Sequence, residues 1–500
     1  MQYLGFDAYE KSINKLDSFD VFMAKDGTET VLIIADNDGK QAADKETAAC
    51  KGPAAGKEPA SGPAASLAIG PLGFIGVEFG GGKFKAPLNH KNAEVLRKLF
   101  PFTAPAPGLS KPVSFGLGDR LGIATPGHIE LFEKKDVFPI FAQQSIRELN
   151  LTGRTYEDVL DAASFAVFRE GYKKGFGADG DHLKTVKDVE YALSLGFSMI
   201  TLDCSEHIKN NITLDNAPAF PKQYGDKFLN RKFEVEDGII LVFTEAELRQ
   251  CVAIYGDAIN FASDIYKRFF ASGKYKADFE ISIDETVSVT TPLQHFFVAH
   301  ELLEAGVKFA TIAPRFCGEF QKGIDYKGDI SQFEKEIKVH ASIARHLKYK
   351  LSIHSGSDKF SVFPAIGRET RGRFHVKTAG TNWLEAMRVA AKADPALYRE
   401  IHNFALSSVD EARKFYHVSM DVSKIPDIGT LKDAELPKLF ENNDARQLIH
   451  ISYGNILCKK NADDSYTYRD RLYKLWSDHE KEYREALVKH IGKHLELLGI

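Results

Sequence analysis

Two histidines open the chemical reading of this chain of 500 residues. His354 ends the run Leu351-Ser352-Ile353-His354 and is followed by Ser355-Gly356-Ser357-Asp358-Lys359. His375 sits in Arg373-Phe374-His375-Val376-Lys377, which runs into Thr378-Ala379-Gly380-Thr381. Each run has the form of a short buried strand with a polar end. Side chains alternate between the faces of a strand, so Ser352 and His354 share a face, as do Arg373, His375 and Lys377. Imidazoles delivered by two strands towards Gly/Ser-rich ends suit a metal or sugar site at the mouth of a parallel barrel. For either histidine alone, a hydrogen-bonded core residue is the plainer alternative.

A third histidine lies in the densest polar segment, Gly175-Phe176-Gly177-Ala178-Asp179-Gly180-Asp181-His182-Leu183-Lys184. His182, His354 and His375 with Asp181 or Asp179 form an N/O donor set, suited to Zn, Mn or Ni more than to Mg. In Phe279-Glu280-Ile281-Ser282-Ile283-Asp284, alternation puts Glu280, Ser282 and Asp284 on one face and isoleucines on the other. An apolar interior tolerates such charges only when they are paired, hydrogen-bonded or on a metal. Asp203, Glu280, Asp179 and Lys184 are therefore candidates for acid–base work. Arg315, Gln144, Gln321, Ser355, Asp358, Lys359 and Lys377 are candidates for holding a substrate, with Arg315 able to grip a carboxylate through two hydrogen bonds. Residues 175–180 fit G-x-G-x-x-G, but the glycines lie within the strand and Asp179 and Asp181 would repel a pyrophosphate. The chain has no G-x-x-x-x-G-K-[ST] loop, and neither NAD nor ATP is expected.

The elements that must position these residues show a rhythm from Pro112 onward. Apolar runs begin near Val113, Phe138, Gly175, Phe197, Phe279, Lys308, Lys350 and Arg373, most of them separated by an amphipathic helix. Thr125, Thr155, Thr185, Thr244, Thr291 and Thr381 stand where helices should start, and Gly171, Gly196, Gly273 and Gly306 where they should stop. Eight strands alternating with helices predict an α/β fold, a (β/α)8 TIM-type barrel over residues 111–392, with a doubly wound sheet as competitor. Residues 1–110 read as a β-rich elaboration built on a hairpin at Phe19 to Ala35, with an Ala/Gly/Pro/Lys-rich excursion at about 41–63. Residues 393–500 read as a helical extension packed on the barrel, compatible with a homo-oligomeric contact. Its run Leu448-Ile449-His450-Ile451-Ser452-Tyr453-Gly454 has no assigned role.

Composition narrows the partners. The formal net charge of -4 gives no electrostatic case for nucleic acid or an anionic membrane. The five cysteines are scattered without a C-x-x-C, which fits a reducing compartment. The start, Met1-Gln2-Tyr3-Leu4-Gly5, lacks the character of a signal peptide, so a cytoplasmic protein is expected.

The segments Gly177-Ala178-Asp179-Gly180-Asp181-His182-Leu183-Lys184-Thr185, Met199-Ile200-Thr201-Leu202-Asp203, His354-Ser355-Gly356-Ser357-Asp358-Lys359-Phe360 and Phe374-His375-Val376-Lys377-Thr378-Ala379-Gly380-Thr381 together resemble the tagaturonate epimerase family. The resemblance runs from about Pro112 to the C-terminus. It implies a metal-dependent enzyme of bacterial hexuronate breakdown that interconverts D-tagaturonate and D-fructuronate. These sugar acids differ at a carbon β to the ketone, whose C–H the carbonyl does not acidify, which leaves a transient oxidation that would want NAD or a retro-aldol cleavage, and the second is expected. Asp203 or Glu280 would then act as acid/base, and Arg315 or Lys377 would grip the carboxylate. The rival readings are a metal-dependent ketose isomerase or aldolase on another sugar, and a non-catalytic sugar-acid-binding protein.

Overall fold

The structure, a computed structural model, describes residues 1–16, 18–27, 29–36 and 67–500. The excursion expected at 41–63 lies outside the described residues. The chain divides into two compact units, one of Met1–Ala104 with Leu160–Gly175, the other of Pro105–Val159 with Phe176–Ile500.

In the smaller unit, strand Phe19–Asp26 pairs antiparallel with Glu29–Asp36, which pairs in turn with Lys83–Pro87. This is the hairpin the sequence predicts, and Gly27 takes φ 62° in its turn. Alternation sends Val21, Met23, Leu32 and Ile34 to one face, against Leu96 and Phe168, and Phe22, Ala24, Val31 and Ile33 to the other. Both faces are covered, which explains the nearly continuous apolar runs.

The larger unit is built on a closed barrel of eight parallel strands, β1 (Val113–Gly118), β2 (Phe138–Ser145), β3 (Gly177–Leu183), β4 (Met199–Asp203), β5 (Asp278–Ile283), β6 (Thr311–Pro314), β7 (Lys350–Ile353) and β8 (Phe374–Ala379). Strand β8 closes on β1 in the register Phe374↔Val113 to Ala379↔Gly118. All eight apolar runs singled out in the sequence become these strands, and the doubly wound sheet is excluded by the closure.

The start signals act through their side chains. Thr185, Thr244 and Thr291 each accept the backbone N–H three residues on, the latter two in full capping boxes. Thr125 and Thr381 do not cap. They are the first helical residues of Thr125–Phe132 and Thr381–Ala393, behind Ala124 and Gly380. Asp119 instead ties the loop that leads into the first of these helices, accepting from the backbone N–H groups of Leu121, Gly122 and Ala124. Gly171, Gly196, Gly273 and Gly306 all have positive φ at helix ends, as expected.

After the barrel, the chain is helical. Leu448 to Gly454 belongs to two buried helices, Asn443–Ile451 and Tyr453–Cys458. These pack in one apolar cluster with Trp383 and Trp476, whose indole N–H groups donate to the carbonyls of Ile449 (2.7 Å) and Ala386 (2.8 Å). The last helix, Glu480–Leu497, lies on the barrel helix Thr125–Phe132, where a Cβ on Gly127 would stand 2.9 Å from Leu487. No helix among the described residues is long and apolar enough to cross a membrane.

Candidate active site

The C-terminal ends of the barrel strands surround a cavity of about 340 Å³, the end at which (β/α)8 proteins carry their chemistry. Its floor is a buried ionic layer. Lys377 of β8 directs its ammonium to Asp179 (2.7 Å), Asp181 and Glu280 (3.4 Å) and donates to Thr201 Oγ1 (2.6 Å). Thr201 donates to the Asp179 and Glu280 carboxylates, and Thr311 donates to Glu280 Oε2 at 2.6 Å. Alternation along β3, β4, β5 and β8 aims these side chains inward. Room for Gln143 beside them comes from Gly116, where a Cβ would sit 1.8 Å from the Gln143 Oε1 atom.

Above the floor stand His182, Asp284 and His354. His354 bridges two carboxylates, with Nε2 2.8 Å from Glu280 Oε1 and Nδ1 3.0 Å from Asp284 Oδ1. His182 Nδ1 lies 2.7 Å from Asp181 Oδ1, and its Nε2 lies 3.8 Å from Asp284 Oδ1. The two imidazole centroids are 4.8 Å apart. Consecutive residues of a regular strand face opposite ways, yet Asp181 and His182 both line the cavity. A register shift in the β3–β4 pairing and φ 55° at His182 achieve this. Positive φ in a non-glycine residue is a cost that persists where the surroundings enforce it, and such residues gather at functional sites.

Charge sets the protonation of the cluster. Burial alone would raise the Asp284 carboxyl, but His354 and His182 hold it well below the usual range. Burial opposes the charge on Glu280 as well, and Lys377 and then His354 overcome it. Asp181 is likewise held low by Lys377 and His182 against the effect of burial. For His182 and His354 burial favours the neutral ring, while Asp181 in the one case and Asp284 and Glu280 in the other push the imidazoles upward. Asp179, fully buried in the layer, rises to about 6 because burial outweighs Lys377.

His182, Asp284 and His354 offer two nitrogens and an oxygen within 4.8 Å of one another, a donor set that fits a divalent transition ion. His375 is not brought to this cluster. It points into the layer beneath, bonded through Nδ1 to Ser114 Oγ (2.9 Å), and burial lowers it to about 3. Asp284, which shares a strand face with Glu280, stands where His375 was expected. Asp203 and Lys184 pair at 3.4 Å just behind the cavity wall, where Asp203 comes within 4.8 Å of His182 and Glu285. Glu280 and Asp179 sit in the floor rather than on the lining.

Among the expected substrate-holding residues, Arg315, Gln321, Ser355 and Lys377 line the cavity. Arg315 has no side-chain partner among the described residues. Gln144 is buried but absent from the lining, which its neighbour Gln143 supplies. Asp358 and Lys359 face away from the cavity. Asp358 pairs with Arg446 (2.8 Å) and His490 (2.5 Å), and Lys359 donates to the carbonyls of Gln321, Ile324 and Ser357. The lining also holds Arg147, Lys322 and Glu285, none of which was singled out as a site residue from the sequence. Glu285 and Lys322 lie in loops and Arg147 in the short helix Ile146–Thr152, positions that nothing local sets apart from solvated charges.

Comparison with known proteins places the chain in a family. Residues 9–498 match the family described as tagaturonate epimerase. The chain is 43% identical to a tagaturonate/fructuronate epimerase of Thermotoga maritima, over 99% of this chain and 97% of that protein. Crystal structures of a fructuronate-tagaturonate epimerase from Cohnella laeviribosi are similar throughout. The native form superposes with a TM-score of 0.90 at 44% identity, covering 99% of this chain and 96% of that one. A glycerol complex gives 0.89 at the same identity, with 97% of that chain covered.

Proposed function

This chain belongs to the tagaturonate epimerase family, and from that premise we propose that it interconverts D-tagaturonate and D-fructuronate with a divalent metal held by His182, Asp284 and His354. It is an isomerase of the epimerase type. The observation that carries the metal-dependent reading is the convergence of two imidazoles and a carboxylate at the barrel mouth, directly above the Lys377 floor. Zn, Mn or Ni suits these donors. When bound there, such an ion supplies Lewis acidity for negative charge developing on a ketone oxygen. On this reading the enzyme is cytoplasmic and its partner is a small sugar acid.

The protein's own groups do the rest. The inverted carbon is β to the ketone, so the reaction proceeds by breaking and re-forming the bond between the α and β carbons. Asp181, ionised beside Lys377 and facing the cavity, accepts the proton of the β hydroxyl. The C–C electron pair moves into the enediolate and the β carbon becomes an aldehyde. The cavity retains that aldehyde while it turns its other face, after which the bond re-forms and Asp181 returns the proton. No net oxidation occurs and no hydrogen leaves carbon at the inverted centre. Glu280 and Asp179 act from below by fixing His354 and Lys377. Arg315, the cavity-lining guanidinium without a partner, receives the substrate carboxylate in preference to Lys377, whose donors are already taken.

NMR of metal-stripped protein with tagaturonate, alone and with Zn, Mn or Ni restored, tests this. The expected result is metal-dependent formation of fructuronate in D2O with no deuterium at the inverted carbon. Deuterium there would end the retro-aldol scheme. No conversion with any of the three ions would end the assignment of the reaction.

A further inference from the structure

We propose that Lys322 is the residue that makes this site selective for an anionic sugar, through a contact between its ammonium and the substrate carboxylate. The proposal rests on the function assigned above and adds the group that discriminates between substrates. Lys322 is half-buried and lines the same cavity as His182, Asp284 and His354. Its Nζ donates to Ser355 Oγ at 3.1 Å, and among the described residues it has no ion-pair partner. The other lysine of the lining, Lys377, has three carboxylates. Arg147 has Glu285 at 3.6 Å and stacks over the Tyr416 ring. A cation withdrawn from water without a counter-ion destabilises its surroundings, and the natural remedy is an anion that arrives with the ligand. Burial and the nearby Arg147 guanidinium already press on this ammonium, while Glu148 and Glu285 support it only from a distance.

The backbone that carries Lys322 is fastened on each side, unlike that of an ordinary surface lysine. Its carbonyl accepts from Gln447 Nε2 at 3.0 Å, and the Gln321 carbonyl before it accepts from Lys359 Nζ at 2.8 Å. The Gly323 carbonyl after it accepts from Arg446 Nε at 2.8 Å, and Gly323 itself takes φ 78° against the His450 ring. Lys359 and Arg446 are both buried, and neither touches the cavity. Two buried cations thus hold a loop that presents a third, half-buried cation to the cavity. Such a fixed donor recognises charge at little ordering cost. Arg315 on the preceding part of the same β6 loop completes a two-cation subsite for a carboxylate.

The test compares wild type, Lys322→Met and Lys322→Arg on tagaturonate and on the neutral ketose that carries a hydroxymethyl group in place of the carboxylate. Lys322→Met is expected to raise KM for tagaturonate about 10- to 100-fold, with a smaller effect on kcat. The ratio of kcat/KM between acid and neutral ketose should fall by a similar factor, and Lys322→Arg should recover part of it. An equal loss on both substrates would overturn the proposal in favour of a structural role, as would an unchanged ratio. Calorimetric binding of tagaturonate to the same proteins separates this from the assignment of the reaction. Wild type that binds tagaturonate more tightly than the neutral ketose without converting it, while Lys322→Met loses that preference, upholds Lys322 and rejects the epimerase reading. Wild type with no preference for the acid rejects Lys322.

Discussion

Lys377 shows how one residue holds a site together. Its ammonium is the common neighbour of Asp179, Asp181 and Glu280, all buried in the barrel. Taking away one member of a buried ionic group leaves charges that neither water nor protein compensates, at a cost of about 3–5 kcal/mol. Lys377→Met should therefore lose about that much stability in chemical denaturation, besides its activity. A loss below about 1 kcal/mol would mean that the carboxylates find other relief. Alternation within Arg373-Phe374-His375-Val376-Lys377 correctly pointed Lys377 inward, but it could not tell His375 from a ligand. Period two fixes the face of a strand and says nothing of depth. Two residues along a strand amount to about 6.6 Å, enough to move an imidazole from the cavity to the layer beneath. The choice of Gln144 over Gln143 failed for a related reason, because nothing local in Ala142-Gln143-Gln144-Ser145 says which parity faces the axis. His182 was found as a ligand candidate by its type and place, although the positive φ that turns it into the cavity has no signature in the sequence.

At the scale of elements, the strands and many helix starts were legible because apolar runs, Thr caps and terminal glycines are local signals. The fastening of the β7 loop was not, because its partners Arg446, His490 and His494 lie 88 to 136 residues away. Asp358 takes φ 61° after β7 and is gripped by His490 of helix Glu480–Leu497, while its backbone N–H donates to His494 Nε2 at 3.0 Å. His494 Nδ1 in turn donates to the His490 carbonyl. With both nitrogens engaged, His494 is a neutral strut rather than a metal ligand, and burial drives it down to about 4, with Asp358 opposing and His490 assisting. A histidine depressed in the folded state contributes stability that is complete above its unfolded value near 6.5 and is lost as the pH falls towards 4. In that window the unfolded chain binds the extra proton. The contribution at stake is about 3 kcal/mol. Melting temperature should drop between pH 7 and pH 4.5, and His494→Gln, which keeps an acceptor for Asp358 but cannot titrate, should show a shallower slope. Identical slopes would remove His494 from the account.

For the whole molecule, the proposed metal site would couple chemistry to stability. Its three donors come from β3 and the ends of β5 and β7, separated by roughly a hundred and by seventy residues of chain, so an unfolded chain cannot present them together. A ligand that binds only the folded state stabilises it by RT ln(1 + [L]/Kd), about 2.7 kcal/mol at a hundred times Kd. Adding Zn, Mn or Ni to metal-stripped protein should thus raise the melting temperature, and Asp284→Asn should abolish most of that rise. All three proposed ligands belong to the larger unit, so metal-dependent slowing of hydrogen exchange should fall on β3, β5 and β7 rather than on the sheet of Phe19–Asp26 and Glu29–Asp36. Exchange that slows equally in both units would point to binding elsewhere. A melting temperature that ignores all three ions would leave the imidazole–carboxylate cluster as a hydrogen-bonded core, the plain reading from which His354 began.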